Sequence, residues 1–458
     1  MLAAGKGTRL RSKTIKLLHA VAGRPMVVWV LDVANGLTPT RTITVVGHQA
    51  DQVKAELADT GTSFVLQKEQ RGTGHAVLQA SRAIGAKRGT LLIVNGDLPM
   101  LRTATLRKLV NGHEKSGAAL TLLTVQVEDP HGYGRIIRDK TNRVERIVEQ
   151  RDATREQRRV NEINTGVYAA DPEKLLRVLR RLRPDNDQGE YYITDAVHHL
   201  LAKGEPVGAI HHHDAEETLG VNTRQELAQA SQVLYERHAE ALQDRGVTLL
   251  DAARTWIDPR ATVGRDTVIY PGVFIEGPCS IGSDCMIRPG CRIVTSKIGA
   301  GTEIKDYSVI VESRIARHAA VGPFAHLRPG SILDDGTKVG NFVELKKTRL
   351  GRGSKASHLS YLGDATIAEN CNIGAGTITC NYDGTNKFPT VLAKGVFIGS
   401  DTQIVAPVKI GEGAYVAAGS TVTKDVPKGA LAIGRGKQRN IEGWVAKRSK
   451  KPKSKKRR

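Results

Sequence analysis

The chain is 458 residues long, enough for two or three domains with separate apolar cores. Its five cysteines include no Cys-x-x-Cys pair, and no secretory leader or long apolar run is present, which excludes a disulfide scaffold and a membrane-spanning protein and points to a reducing, cytoplasmic setting. Nine of the basic residues behind the formal charge of +21 fall between Lys447 and Arg458, and the remaining surplus fits anionic substrates such as sugar phosphates, nucleotides and coenzyme A.

The chain opens on Leu2-Ala3-Ala4-Gly5-Lys6-Gly7-Thr8-Arg9-Leu10, a glycine-rich turn whose backbone N–H groups can close around phosphates. It matches neither the Walker A pattern nor G-x-G-x-x-G. Apolar runs at 42–46, 63–66, 91–97 and 119–125 alternate with helical stretches, which predicts a mostly parallel sheet with ligands at the carboxyl ends of its strands. Asp97 stands at such an end, after Gly96, where a carboxylate can hold Mg²⁺; an Asx turn before Pro99 is the structural alternative. The histidine runs 198–199 and 211–213 make a poor metal cage, because neighbouring side chains on a strand face opposite ways. Thr223-Arg224-Gln225-Glu226 reads as a capping box, with Leu227, Leu234 and Ala241 at seven-residue spacing behind it, so one long helix is predicted to Gly246. Asn222, just before that cap, sits on fixed backbone that suits a ligand.

From Val263 to Val422 an aliphatic residue returns almost every sixth position: Val263, Ile269, Ile275, Ile281 and so on through Leu327, Leu333, Val339 and Leu345. Neither a helix nor an alternating strand sustains a period of six, so this is a solenoid of short strands and tight turns, three rows to a coil. A content of only 4% aromatic residues suits such an Ile- and Val-filled prism. The register puts Cys279, Cys285 and Cys291 on three successive faces, pointing apart, against a disulfide or metal site. Leu327 and Leu345 are 18 residues apart, so Arg328 and Lys346 fall on adjacent rungs with backbones ~4.8 Å apart, where an anion between them would relieve the repulsion. Around the next corner come His358 and Tyr361, with Asn372 one face further on. A neutral histidine beside an anion-holding pair is what amine acylation needs, since an ammonium must lose a proton before it attacks a thioester. The hexads break at Cys380-Asn381-Tyr382-Asp383 through Phe388, predicted to leave the prism as a loop able to reach a partner subunit. The basic end reads as a disordered tail that could contact a polyanion.

The opening loop, followed in order by Gln67, Gly72-Thr73-Gly74-His75, Gly132-Tyr133-Gly134-Arg135, Glu149, Asn164-Thr165-Gly166 and Val221-Asn222, resembles the sugar-nucleotide nucleotidyltransferases. The hexads resemble those of hexapeptide-repeat acyltransferases, which implies a left-handed parallel β-helix. Together they resemble the bacterial bifunctional N-acetylglucosamine-1-phosphate uridylyltransferase/glucosamine-1-phosphate acetyltransferases over nearly the whole chain. The resemblance implies a Rossmann-like α/β nucleotidyltransferase domain at 1–222, a linker helix at 223–246, the β-helix at 247–440 and the tail at 441–458. It assigns Arg9 and Lys16 to the triphosphate, Gln67 and Thr73 to uracil, and Gly134, Glu149 and Asn164 to the sugar. Asp97 and Asn222 would share Mg²⁺, with further UTP or UDP-N-acetylglucosamine contacts from Leu2, Ala3, Ala4, Gly5, Gly72, Asn95 and Gly96. In the second half it makes His358 the general base and gives Arg328, Lys346, Tyr361 and Asn372 to glucosamine 1-phosphate. Ala375, Asn381, Tyr382, Ser400, Ala418 and Arg435 would contact acetyl-CoA, and a homotrimer is implied. Two departures stand out: only Met1 and Leu2 occupy the place of the family's first apolar strand, from which a start further upstream is expected, and Ile15 replaces the proline before Lys16.

Overall fold

The computed structural model describes residues 1–5, 7–85, 88–184, 186 and 188–449, and the chain divides into two compact units, Met1–Arg237 and His238 onward. In the first unit, Leu2–Ala3, Ile43–Val46 and Ser63–Leu66 pair in parallel. The predicted runs at 91–97 and 119–125 form strands Leu91–Ile93 and Leu120–Gln126. Between those two strands lies Glu162–Ala170, antiparallel to both, so the sheet is mixed at this point. Strand Val207–His212 extends the sheet in parallel beyond Leu120–Gln126. The central residues of that sheet, including Leu120, Leu122, Val125 and Ile163, are buried, each contributing roughly 1.5–3 kcal/mol by leaving water.

The opening strand is two residues long and is bonded on both sides. Leu2 accepts from Gly96 N–H (2.9 Å) and donates to Val94 (2.8 Å), while Val45 N–H donates to Met1 (2.9 Å), so one dipeptide joins two neighbouring strands. Alongside it is a largely apolar cavity of about 430 Å³, lined among others by Met1, Leu2, Ile43, Val45, Leu91 and Val94.

Helix Arg224–Gln243 begins at the predicted capping box: Thr223 Oγ1 accepts from Glu226 N–H (3.2 Å), and the Glu226 carboxylate accepts from Thr223 N–H (2.8 Å) and Asn222 N–H (2.6 Å). Its fully buried residues are Ala230, Val233, Ala239 and Leu242, whereas the predicted stripe of Leu227, Leu234 and Ala241 is only half-buried. Ala230 and Val233 pack in the core of the first unit, with Leu227 and Leu234 partly buried against it, whereas Ala239 and Leu242 pack in the core of the second, so no single stripe runs the length of the helix.

The second unit is a three-faced parallel β-helix with sheets of eleven, ten and nine strands. Up to its last coil each strand pairs with the one three strands later, so each coil gives one short strand to each face: Ile310 is in register with Leu327, Leu327 with Leu345, and Leu345 with Leu362. The hexad residues from Ile269 to Val422 fill the interior. Cys279, Cys285 and Cys291 do lie before strands of three different faces, but all three are buried as free thiols in that interior, a correction to the expectation that they point apart. Each takes an inward position two residues ahead of an aliphatic row. One corner turns through left-handed residues Tyr307, Phe324, Phe342 and Leu359 (φ 45–56°). The aromatic members stack at 5.4 and 5.3 Å between ring centroids, and Leu359 places His358 immediately before the turn.

Segment 381–389 leaves the prism as predicted, with Tyr382 to Lys387 exposed, before strand Thr390–Leu392 resumes the coil. Within the stretch expected to be disordered, Trp444–Ser449 is helical; the basic residues from Lys450 on lie outside the described residues. No helix among the described residues is long and apolar enough to cross a membrane.

Candidate active sites

In the first unit, three groups far apart in sequence converge. Lys16 Nζ donates to Asp97 Oδ2 (2.6 Å) and to Asn222 Oδ1 (2.8 Å). Asn222 is oriented by its own Nδ2, which donates to Gly220 O (3.1 Å), and by its backbone N–H on Glu226. Val221 N–H donates to the Asp97 carbonyl (3.0 Å), which ties the two ligand loops together. The opening loop lies on the Lys16 stem at Gly7, whose left-handed φ of 63° and lack of a Cβ permit that contact. Two oxygens already converging on one cationic nitrogen are a donor set that fits a hard divalent ion completed by phosphate oxygens. Tyr133 stands nearby: burial pushes its phenol up, as do the carboxylates of Glu226 and Asp97, while the Arg9 guanidinium opposes them.

Around this centre the remaining candidates fall into two groups. Gln67 is buried, its amide nitrogen donating to Gly72 O (3.2 Å) and bonded to His75 Nδ1 (2.9 Å), beside Thr73, whose Oγ1 accepts from Ile193 N–H (3.2 Å). On the other side Asn164 N–H donates to Gly134 O (2.8 Å), and a Cβ on Gly134 would meet Glu149 Oε1 at 3.2 Å. Burial pushes the Glu149 carboxyl up, against the bond donated by Thr194 Oγ1 (3.2 Å). Leu2 and Ala3 form the first strand, Ala4 is buried behind it, Gly5 is exposed, and Asn95 and Gly96 lead into Asp97.

The histidine run 211–213 does not gather a metal site of its own. His212 instead meets Asp214 and Glu217, the one such cluster among the described residues, and Arg102 and Arg237 pair with its carboxylates. Two guanidiniums already balance that charge.

On the β-helix, His358 is exposed at its corner, and its Nδ1 is 2.7 Å from Asn341 Oδ1 on the preceding rung. An amide oxygen only accepts, so Nδ1 donates in this bond, and in the neutral ring Nε2 is the nitrogen left to take a proton. Ser360 Oγ donates to the His358 carbonyl (2.8 Å) and steadies the turn. On the next face Arg328 and Lys346 follow residues in direct register, as predicted. They are not a bare like-charge pair, however: Arg328 is bonded to Glu344 (2.8 Å) and Lys346 to Asp364 (3.3 Å). The Glu344 bond holds the Arg328 pKa above its ordinary value. Lys387, from the loop, lies beside Lys346, whose hydrogen bond and charge hold it below the usual lysine value. A Cβ on Gly363 would meet both the Tyr361 hydroxyl and Asn381 Nδ2, so these two side chains close over the same glycine, and Asn381 also donates to Asp364. Asn372 pairs with Lys355 and Phe397 on the His358 face.

The remaining candidates run up the solenoid in steps: Asp401 N–H donates to Ala375 O (2.7 Å), Gly419 N–H to Ser400 O (2.8 Å), and Arg435 Nη1 to Ala418 O (2.8 Å). Tyr382 is exposed at the loop. Sequence reasoning missed Asn341, Glu344, Asp364 and Lys387. The first three stand 16 to 18 residues from the functional partner each one bonds, so the coil arithmetic that aligned Arg328 with Lys346 could have found them.

Comparison with known families agrees with this division. Residues 1–258 match the nucleotidyl transferase family, and residues 389–424 match the bacterial transferase hexapeptide family, so the second unit is a left-handed parallel β-helix. Residues 252–348 match the GMPPB C-terminal domain, a match that stops before His358. Among curated relatives, "Bifunctional protein GlmU" of Halalkalibacterium halodurans is 47% identical over 449 residues, 98% of each chain. The proteins of the same name from Pelobacter propionicus and Geobacter sulfurreducens are 48% and 47% identical, covering 98% and 97% of both chains respectively. At that identity over nearly its whole length, the chain belongs to the GlmU family of bifunctional proteins.

Proposed function

We propose that the chain makes UDP-N-acetylglucosamine in two steps at two separate sites. The observation that carries this is the presence, in one chain, of a lysine–carboxylate–amide centre and, on the solenoid, an exposed histidine bonded to Asn341 on one face with two cations on adjacent rungs of the next.

In the first step, His358 Nε2 takes a proton from the 2-ammonium group of glucosamine 1-phosphate, the amine attacks the thioester of acetyl-CoA, and the tetrahedral intermediate expels the CoA thiolate, which is reprotonated. Arg328 and Lys346 hold the sugar phosphate, with Tyr361 and Asn372 completing its site. The column from Ala375 through Ser400 and Ala418 to Arg435, with Asn381 and Tyr382, receives acetyl-CoA, and a backbone N–H near Ser400 stabilises the oxyanion. In the second step, a phosphate oxygen of N-acetylglucosamine 1-phosphate attacks the α-phosphorus of UTP in line and pyrophosphate leaves. Arg9 and Lys16 offset the charge on the triphosphate, Gln67 and Thr73 read uracil, and Gly134, Glu149 and Asn164 hold the sugar. Asp97 and Asn222 would hold Mg²⁺, which when bound neutralises phosphate charge. No protein base is needed there, because the attacking phosphate is already ionised.

The exposed loop 381–389 supports a homotrimer in which this segment reaches a neighbouring subunit. Free thiols and acetyl-CoA chemistry suit the cytoplasm, and the basic tail is suited to polyanions. The match to the GMPPB C-terminal domain favours a second reading, a regulated hexose-1-phosphate nucleotidyltransferase, which would have no use for His358 or its Asn341 bond. Purified protein given glucosamine 1-phosphate, acetyl-CoA, UTP and Mg²⁺ decides between them. The proposed function requires thiol release that depends on glucosamine 1-phosphate, and pyrophosphate release from UTP that depends on the acetylated sugar phosphate. Pyrophosphate release without any thiol release would favour the second reading.

A further inference from the structure

Lys16 occupies an unusual position for a phosphate-binding lysine. Its ammonium rests between the Asp97 carboxylate and the Asn222 amide oxygen, at 2.6 and 2.8 Å, and its side chain is only 12% exposed. Both oxygens are aimed by other bonds: Asn222 by Gly220 and Glu226, and the Asp97 loop by Val221. They are therefore pointed at one place, and one cation fills it. A divalent ion taking the same two oxygens would stand within about one bond length of that ammonium, and at such a separation like charges repel strongly. Ammonium and metal are thus alternatives.

The lysine also has somewhere else to go. Its four-carbon stem is flexible, and the glycine-rich loop lies directly on it at Gly7. Residue 15 is Ile rather than proline, so the backbone before Lys16 lacks a locking ring. A triphosphate held by that loop would offer the ammonium oxygens of its own.

We infer that Lys16 is a built-in placeholder cation: it closes the Asp97–Asn222 pair to divalent metal in the nucleotide-free protein and gives the pair up when a triphosphate draws it away. Metal and nucleotide are then taken up together. The inference rests on the assignment of Asp97 and Asn222 as the metal pair.

The test is direct Mn²⁺ binding to nucleotide-free full-length protein, read from the loss of the free Mn²⁺ paramagnetic resonance signal. Lys16→Met should bind Mn²⁺ at least tenfold more tightly than the unaltered protein. Lys16→Arg, which keeps a cation, should stay as weak as the unaltered protein, and adding Asp97→Ala to Lys16→Met should abolish the gain. Equal Mn²⁺ affinity in the unaltered protein and Lys16→Met, with both folded by circular dichroism, overturns the placeholder. The metal assignment fails separately if Asp97→Ala takes up Mn²⁺ with UTP as well as the unaltered protein does.

Discussion

The two units bring reactive groups together by different means. In the nucleotidyltransferase unit, Lys16 bonds to residues 81 and 206 positions away, and their meeting depends on the whole sheet placing strand ends side by side. On the β-helix, Asn341 and His358 are 17 residues apart, Arg328 and Glu344 are 16, and Lys346 and Asp364 are 18. One turn of the coil does there what an entire domain does in the other half. A site built from neighbouring rungs should therefore fail piece by piece, whereas a site built from distant loops should feel changes in elements that never touch substrate.

Removing one central group from each unit has the largest expected effect. His358→Ala should lower thiol release by ~10²–10⁴-fold, the usual contribution of a general base, and leave pyrophosphate release unchanged. Asp97→Ala should do the reverse, lowering pyrophosphate release by about 10²-fold or more, since metal-borne charge neutralisation contributes several kcal/mol. Loss of both activities in either variant would mean that the sites are not independent.

Asn341 sharpens the picture of the solenoid. Asn341→Ala removes the acceptor that fixes the His358 tautomer and should slow acetyl transfer by roughly tenfold, within the range for general-base effects. Asn341→Asp keeps the acceptor but adds a charge that stabilises the imidazolium. Its activity should persist with the acid limb of the kcat/KM profile moved to higher pH. A merely structural role for Asn341 would leave that limb in place.

Glu149 offers the corresponding experiment in the first unit. Burial raises its carboxyl pKa, so the ionised form is lost as pH falls through a value above the ordinary glutamate range. The kcat/KM for uridylyl transfer should fall on that side, and Glu149→Gln should lack the limb. The smallest effect belongs to Glu226, which caps the helix after Asn222 without reaching substrate. Glu226→Ala should cost about 1 kcal/mol of stability, as capping losses do. It should weaken pyrophosphate release severalfold through Asn222 and leave thiol release intact.

The same differences decide how much of each site is legible in the sequence. The hexad residues named the solenoid and its phase, because a one-coil repeat puts tertiary neighbours at a fixed sequence distance. That arithmetic aligns Arg328 with Lys346, and the same spacing of about one coil brings Glu344 to Arg328 and Asp364 to Lys346. In the first unit the strands and the Thr223–Glu226 cap were legible from local pattern. Strand Glu162–Ala170, antiparallel between its neighbours, was not, since nothing in its own residues states which strands it joins. The same holds for Lys16 on Asp97 and Asn222: resemblance named the three residues, but only the folded sheet shows one neutralising the other two.

The most direct test of two independent sites is to mix the His358→Ala and Asp97→Ala proteins and measure UDP-N-acetylglucosamine formed from glucosamine 1-phosphate, acetyl-CoA and UTP. Each alone should make almost none. The mixture should restore synthesis, because the acetylated sugar phosphate made by one protein can diffuse to the other. A mixture as inactive as its components would contradict the account.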